Sequence, residues 1–237
     1  MATLRAFADK HGITFPLLSD AGSATIRAWG ILNADATGRE AGIPYPGTFV
    51  LDAQGVIVSR SFERAYQERE TAAAILLALQ QSVAGAEGGT AVVGKYLVAR
   101  PGQTDTIAAP GHKLTLTVDV TPGPGIRVYA PGQAGYRFVT LTLIASGFTA
   151  APAGYPQPRP FFYAPLKETV QVFDRPFRIT QPITIALTPE LRRRATARET
   201  LTIEGRLEYQ ACDERVCYAP DVVPLRWGIE LRPFVRK

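Results

Sequence analysis

Residues 201–220 read LTIEGRLEYQACDERVCYAP. The first nine alternate apolar and polar side chains, the pattern of a strand with one face on a core and the other in water. The rest hold Cys212 and Cys217, the only cysteines in a chain of 237 residues. Asp213, Glu214, Arg215 and Val216 lie between them. If Tyr209–Cys212 ends one strand and Cys217–Ala219 begins the next, residues 213–216 form a hairpin loop and the two cysteines face each other. Facing positions have Cα atoms about 4.5–5.5 Å apart, inside the reach of a disulfide.

The same alternation runs upstream. HKLTLTVDVTP (112–122), RFVTLTLIAS (137–146), ETVQVFD (168–174) and PITIAL (182–187) each read as strands. Turns rich in Pro and Gly separate them, and PELRRRA (189–195) reads as a short turn. Short strands so spaced predict an all-β sandwich over 91–237. GAEGGT (85–90) reads as a linker.

Ahead of the linker the pattern changes. LRAFADKHG (4–12) has helical spacing and a glycine stop, and ITFPLL (13–18) reads as a short strand. SDAGSATIRAWGIL (19–32) reads as a helix with Ser19 or Asp20 near its N-cap. GTFVLD (47–52) and VIVSRSF (56–62) read as strands joined by AQG, and TAAAILLALQQSVA (71–84) as a final helix. The order α-β-α-β-β-α over 1–84 predicts helices packed on a sheet. The expected fold class is therefore α/β followed by all-β.

Apolar residues make up 46% of the chain and charged residues 20%, which suits a packed core. The formal net charge is +5; residues 1–85 carry 7 Lys/Arg against 8 Asp/Glu, and the rest 19 against 13. The basic cluster Arg192–Arg194 comes with no zinc-finger or helix-turn-helix pattern, so nucleic acid is not an expected partner. No apolar run reaches the length of a membrane span, and MATLRAFADKHG lacks the apolar stretch of a signal peptide. With no GxGxxG and no phosphate-binding lysine loop, no cofactor is expected. Zinc takes four ligands, or three and a water; His11 and His112 are far from the cysteines in sequence, which disfavours a metal.

On the residues alone, four uses of the cysteine pair stay open: redox-active pair, structural disulfide, two inert thiols, or metal ligands. Closing so small a loop stabilises by only about 2 kcal/mol, and a structural staple would join distant strands. A tight loop at an exposed tip suits exchange, because an attacking thiolate must reach one sulfur in line.

YQACDERVCYAP (209–220) resembles the cysteine motif of the N-terminal domain of the thiol:disulfide interchange protein DsbD, over roughly 91–237. The resemblance implies an immunoglobulin-like β-sandwich with a redox-active pair, Cys212 and Cys217. It implies electron transfer from a thioredoxin-like partner to protein disulfide substrates, and a periplasmic or envelope location. Cys212 is expected to form the mixed disulfide with the partner. In this family an aromatic cap loop covers the disulfide. PRPFFYAPLKETVQVF (158–173) stands at the matching place, with Phe162 and Tyr163 as cap aromatics and Tyr209 and Tyr218 as pocket residues.

GITFPLLSD, IRAWGILN and PYPGTFVLDAQGVI resemble, in order and spacing, the peroxiredoxin/redoxin (AhpC/TSA) branch of the thioredoxin-like superfamily over about 2–82. The resemblance implies a cis-proline at Pro46. It lacks the strand and helix that carry the family's reactive cysteine, so a truncated or degenerate thioredoxin-like domain is expected, with exposed strand edges and apolar surface. A thiolate is the nucleophile in this chemistry, and none is available before position 212. Two rivals remain: a peroxidase in a longer form of the protein, and a binding module with a structural disulfide.

Overall fold

The structure is a computed structural model that describes residues 2–63, 68–79, 89–132, 135–144, 146–163 and 167–233. The chain divides into two compact units, residues 1–66 and 67–237.

In the first unit, α1 (Ala2–His11) stops at Gly12, whose φ of +61° suits glycine. The next segment, α2 (Ala24–Ala28), is held at its start by Asp20, whose carboxylate accepts from the N–H groups of Thr25 and Ile26 at 3.1 and 2.9 Å. A hairpin follows, β1 (Gly47–Leu51) with β2 (Ile57–Phe62), closed by Asp52 and Gly55. The strand expected over ITFPLL does not form. A strand needs a ladder partner, Pro16 cannot donate, and the only sheet described in this unit is the two-stranded hairpin. Its apolar residues are accordingly exposed, Phe15 by 64% and Leu18 by 90%. The Tyr45–Pro46 bond is trans, not the expected cis. Trans is the favoured form of an X–Pro bond unless contacts lock the other. Here Pro44 already bridges Leu32, and the Tyr45 N–H donates to the Ile31 carbonyl at 2.8 Å.

The second unit starts with β3 (Arg69–Glu70) and α3 (Ala72–Ala78), the latter capped by the Thr71 hydroxyl. The end of the expected helix and most of the expected linker, residues 80–88, lie outside the described residues. Then come β4 (Val92–Val93), β5 (Leu97–Gln103), β6 (Ile107–Ala108) and β7 (His112–Pro122). They are followed by β8 (Arg127–Tyr129), β9 (Thr140–Ile144), β10 (Phe148–Ala150), β11 (Arg159–Tyr163), β12 (Glu168–Phe173) and β13 (Phe177–Ile185). The chain ends with α4 (Pro189–Thr196), β14 (Thr200–Tyr209), β15 (Ala211–Cys212) and β16 (Asp221–Leu231).

These strands make three sheets. One runs β10-β13-β7-β5-β4 with β3 parallel to β7; one runs β6-β16-β14-β9; the third, smaller, runs β11-β12-β8-β15. Alternation in sequence becomes alternation in burial. Every second residue of β14 is buried, from Leu201 to Tyr209, and β16 matches it with Val223, Leu225, Trp227 and Ile229. These pack with Leu116, Val118 and Ile179 of the β7–β13 pair in one core, and the Trp227 indole N–H donates across it to the Thr117 carbonyl at 3.4 Å. Gly205 is glycine because a Cβ there would lie 2.9 Å from the Trp227 ring and 3.1 Å from the Thr142 carbonyl.

PELRRRA is a helix rather than the expected turn. Thr188 accepts from Leu191 N at 3.2 Å, Pro189 stands in the first turn, and Leu191 and Ala195 point inward.

Candidate active site

The strand carrying the first cysteine is not one strand. β14 ends at Tyr209 in the β16 sheet, whereas β15 pairs with β8 in the small sheet, so the chain changes sheets at Gln210. The reason is visible in the hydrogen bonds. The Gln210 side chain donates to the Tyr218 carbonyl at 3.0 Å, bracing the crossing point against the return of the loop.

Beyond it, Cys212 and Cys217 form an isolated antiparallel bridge closed by a disulfide, with Cα atoms 4.0 Å apart. The flanking bonds run from Asp213 N to Val216 O (3.0 Å) and from Tyr218 N to Ala211 O (2.8 Å). This is the non-hydrogen-bonded kind of pair, the closer of the two antiparallel types. Inside the loop, Asp213 also accepts from the N–H groups of Arg215 and Val216, both at 2.8 Å, and from the Tyr218 hydroxyl at 2.5 Å. These donors, the tyrosine first, hold its carboxyl down at about 2. The same bond raises the Tyr218 phenol.

The small sheet sorts its side chains by register. Ala211, Val128 and Phe173 face the main core. Their neighbours face the other way: Cys212, Tyr129, Val170 and Val172 form a second, smaller apolar cluster with Phe161 and Tyr136 against it. The disulfide therefore lies on the outer face of this sheet, under its own aromatic cover. The two cysteines differ in exposure. Cys212 is 1% exposed, and Cys217 is exposed. The Tyr129 hydroxyl stands 3.4 Å from Cys217 Sγ; a disulfide sulfur carries no hydrogen, so the tyrosine donates. Burial raises the Tyr129 phenol, which keeps it protonated as a donor.

Of the residues expected at the site, Cys212, Cys217 and Tyr218 are together. Tyr218 stacks on Tyr96 at 4.3 Å. Tyr209 is turned into the main core, where its hydroxyl donates to Asp221 at 2.8 Å; burial and then that bond push its phenol up. Phe162 is 61% exposed and outside the cluster, Tyr163 is half-buried, and Phe161 is the aromatic of this segment packed against the cluster that holds Cys212. Residues 164–166 of the expected cap lie outside the described residues. Pro46 belongs to the first unit. The sequence reading missed Tyr129, Phe161 and Arg127. The apolar–polar mix of RVY at 127–129 was the only local signal for two of them.

The family model of the N-terminal region of thiol:disulfide interchange protein DsbD matches residues 98–223, more than half of the chain. The chain belongs to the DsbD N-terminal family. The AhpC/TSA family model matches residues 1–60. No individually curated protein matches the chain. Two solved structures similar to this DsbD-family chain are N-terminal domains. The N-terminal periplasmic domain of ScsB from Proteus mirabilis is 15% identical, with a TM-score of 0.42, over 63% of this chain and 53% of that one. The reduced DsbD N-terminal domain from Neisseria meningitidis is 14% identical, with a TM-score of 0.32, over 54% and 82%. The chain spans about half the length of the ScsB domain it matches. Family and closed cysteine pair together point to thiol–disulfide exchange. Among the described residues, no helix is long and apolar enough to cross a membrane.

Proposed function

We propose that Cys212–Cys217 is a redox-active disulfide that takes electrons from a thioredoxin-like partner and passes them to protein disulfides. The observation that carries this is the asymmetry in exposure of the two cysteines. Exchange requires an accessible sulfur in line with its leaving group, and Cys217 is exposed while Cys212 is buried behind it. A partner thiolate attacks Cys217 Sγ, the Cys212–Cys217 bond breaks, and Cys212 leaves as a thiolate. The partner's second thiolate then attacks its own sulfur in the mixed disulfide, and Cys217 leaves with Tyr129 Oη–H beside it to stabilise the charge. The partner dithiol ends as a disulfide and this chain as a dithiol. Exposure thus favours Cys217, not Cys212, as the residue in the mixed disulfide.

We read the second unit as an immunoglobulin-like sandwich and residues 1–84 as a partial thioredoxin-like domain of redoxin descent, with 85–90 as linker. In space, 69–79 pack with the second unit. A periplasmic location follows from the family. Peroxide reduction is not supported for this chain, because no thiol precedes Cys212.

The test is the reduction potential of the pair in glutathione buffers. A value of about −180 to −270 mV places it among exchange proteins; a value well below about −300 mV makes it a structural bond and ends this reading.

A further inference from the structure

We propose that Arg127 is an electrostatic positioning residue for the exchange. It is a buried arginine, the register partner of Cys212, that makes no ion pair among the described residues, and the thiolate released at Cys212 gives it an anion on its own face. This rests on the thiol–disulfide reading above and adds to it the residue that sets how readily the pair is reduced.

Arg127 is the register partner of Cys212 across β8 and β15, and directly opposed residues of antiparallel strands project to the same face. Its side chain is 6% exposed. Its guanidinium lies against the Phe161 ring, 3.9 Å from the centroid, in the aromatic cover of the disulfide. Its Nε is buried with no hydrogen-bond partner, and no ion pair to it occurs among the described residues. A guanidinium stays charged, and a buried charge without a partner is costly. The site therefore carries a cost in the closed state that a new anion would relieve.

No carboxylate is ion-paired to Arg127 among the described residues. On β8, Tyr129 is a protonated donor. Tyr163 and Glu168 pair at the ends of β11 and β12; both are near enough to Tyr129 to help raise its phenol, yet the buried Glu168 Oε1 has no hydrogen-bond partner. In the loop, Asp213 is half-buried, and its oxygens are taken up by the Tyr218 hydroxyl and two backbone N–H groups. Arg127 is only the last contributor to its depressed carboxyl. When Cys217 is attacked, the electron pair of the broken bond goes to Cys212 Sγ, on the face that holds the guanidinium. A nearby cation stabilises a thiolate, so Arg127 favours both the leaving group and the reduced state.

The experiment compares wild type, Arg127→Met and Arg127→Lys in the full chain. Each is equilibrated with reduced and oxidised glutathione and trapped by alkylation, and the oxidised forms are melted. Arg127→Met is expected to shift the equilibrium toward the disulfide about tenfold, or about 30 mV. Arg127→Lys, which keeps the charge, stays close to wild type. Oxidised Arg127→Met melts no lower than wild type, since an apolar side chain replaces an unpaired buried charge. Three results overturn the proposal. The first is an unchanged equilibrium in Arg127→Met. The second is an equal shift in Met and Lys, which assigns the effect to packing. The third is an oxidised Arg127→Met that melts lower or does not fold, which makes Arg127 a structural latch for Phe161. A wild-type pair that never equilibrates with glutathione defeats the exchange reading itself; a wild-type pair that does, matched by Arg127→Met, defeats only the role of Arg127.

Discussion

Each unit holds one of the chain's two tryptophans. Trp227, in the second, is 2% exposed, wedged against Gly205 and bonded across the core. Trp29, in the first, is 51% exposed and touches Phe49 edge-on at 4.9 Å. Both units are rich in apolar residues, yet only the second turns them into an interior. The difference is partners. A strand of alternating residues buries its apolar side only when a second layer faces it, and the described residues of the first unit offer a single hairpin where those of the second form three sheets. An apolar sequence is a demand for a neighbour, not a core in itself.

Matched substitutions in the two units can break or sharpen this contrast. The largest difference is in activity: Cys217→Ser should abolish exchange with a dithiol, followed by alkylation trapping, whereas a change of the same size on the first unit, Ser61→Ala, should leave it intact. Exchange surviving in Cys217→Ser would remove the second unit from its central place. Next in size, Trp227→Ala should cost about 3–5 kcal/mol and Trp29→Ala about 1 kcal/mol, measured by urea unfolding followed by circular dichroism. Equal costs would mean that the first unit has an interior after all. Gly205→Ala should cost about 1–3 kcal/mol by overpacking against Trp227, read in the same unfolding curves.

The smallest effect separates two carboxylates. Asp20 and Asp213 are both half-buried and both accept backbone N–H groups, Asp20 from the first turn of α2 and Asp213 from its own loop, and both are depressed from 3.8. Asp213 adds the Tyr218 hydroxyl and falls to about 2. A depressed carboxyl stabilises the fold above its unfolded value and loses that contribution as pH falls through its folded value. The disulfide loop should therefore keep its geometry down to about pH 4 and loosen between about pH 4 and 2, seen in the amide shifts of Arg215 and Val216. Tyr218→Phe should move the transition upward, toward that of Asp20; no movement would deny the hydroxyl its role.

Much of the second unit was legible in sequence. The alternation of β7 and β14 places their core residues directly, and the cysteines announce the site. The sheet change at Gln210 was not legible, because the apolar–polar rhythm continues across it through EYQA. The α4 helix had its signals, Thr188, Pro189 and Glu190, but three successive arginines looked like a solvated turn. The partners of the disulfide were beyond reach for a different reason. Tyr129 and Phe161 stand 88 and 56 residues from Cys217 in sequence, and which of Phe161 and Phe162 joins the cluster around Cys212 depends on strand register, not on local pattern. In the first unit the strand signal of ITFPLL was real as a propensity and failed for want of a neighbour.

The crossing at Gln210 has one more consequence. Because backbone bonds flank the cysteines on both sides, from Asp213 to Val216 and from Tyr218 to Ala211, the span between the sulfurs is set by the main chain rather than by the sulfur–sulfur bond. On the exchange proposed above, opening the bond would leave those two backbone bonds to hold the loop's frame, and the pair would close again without a mechanical stroke, like a battery contact whose spring stays seated whether or not current flows.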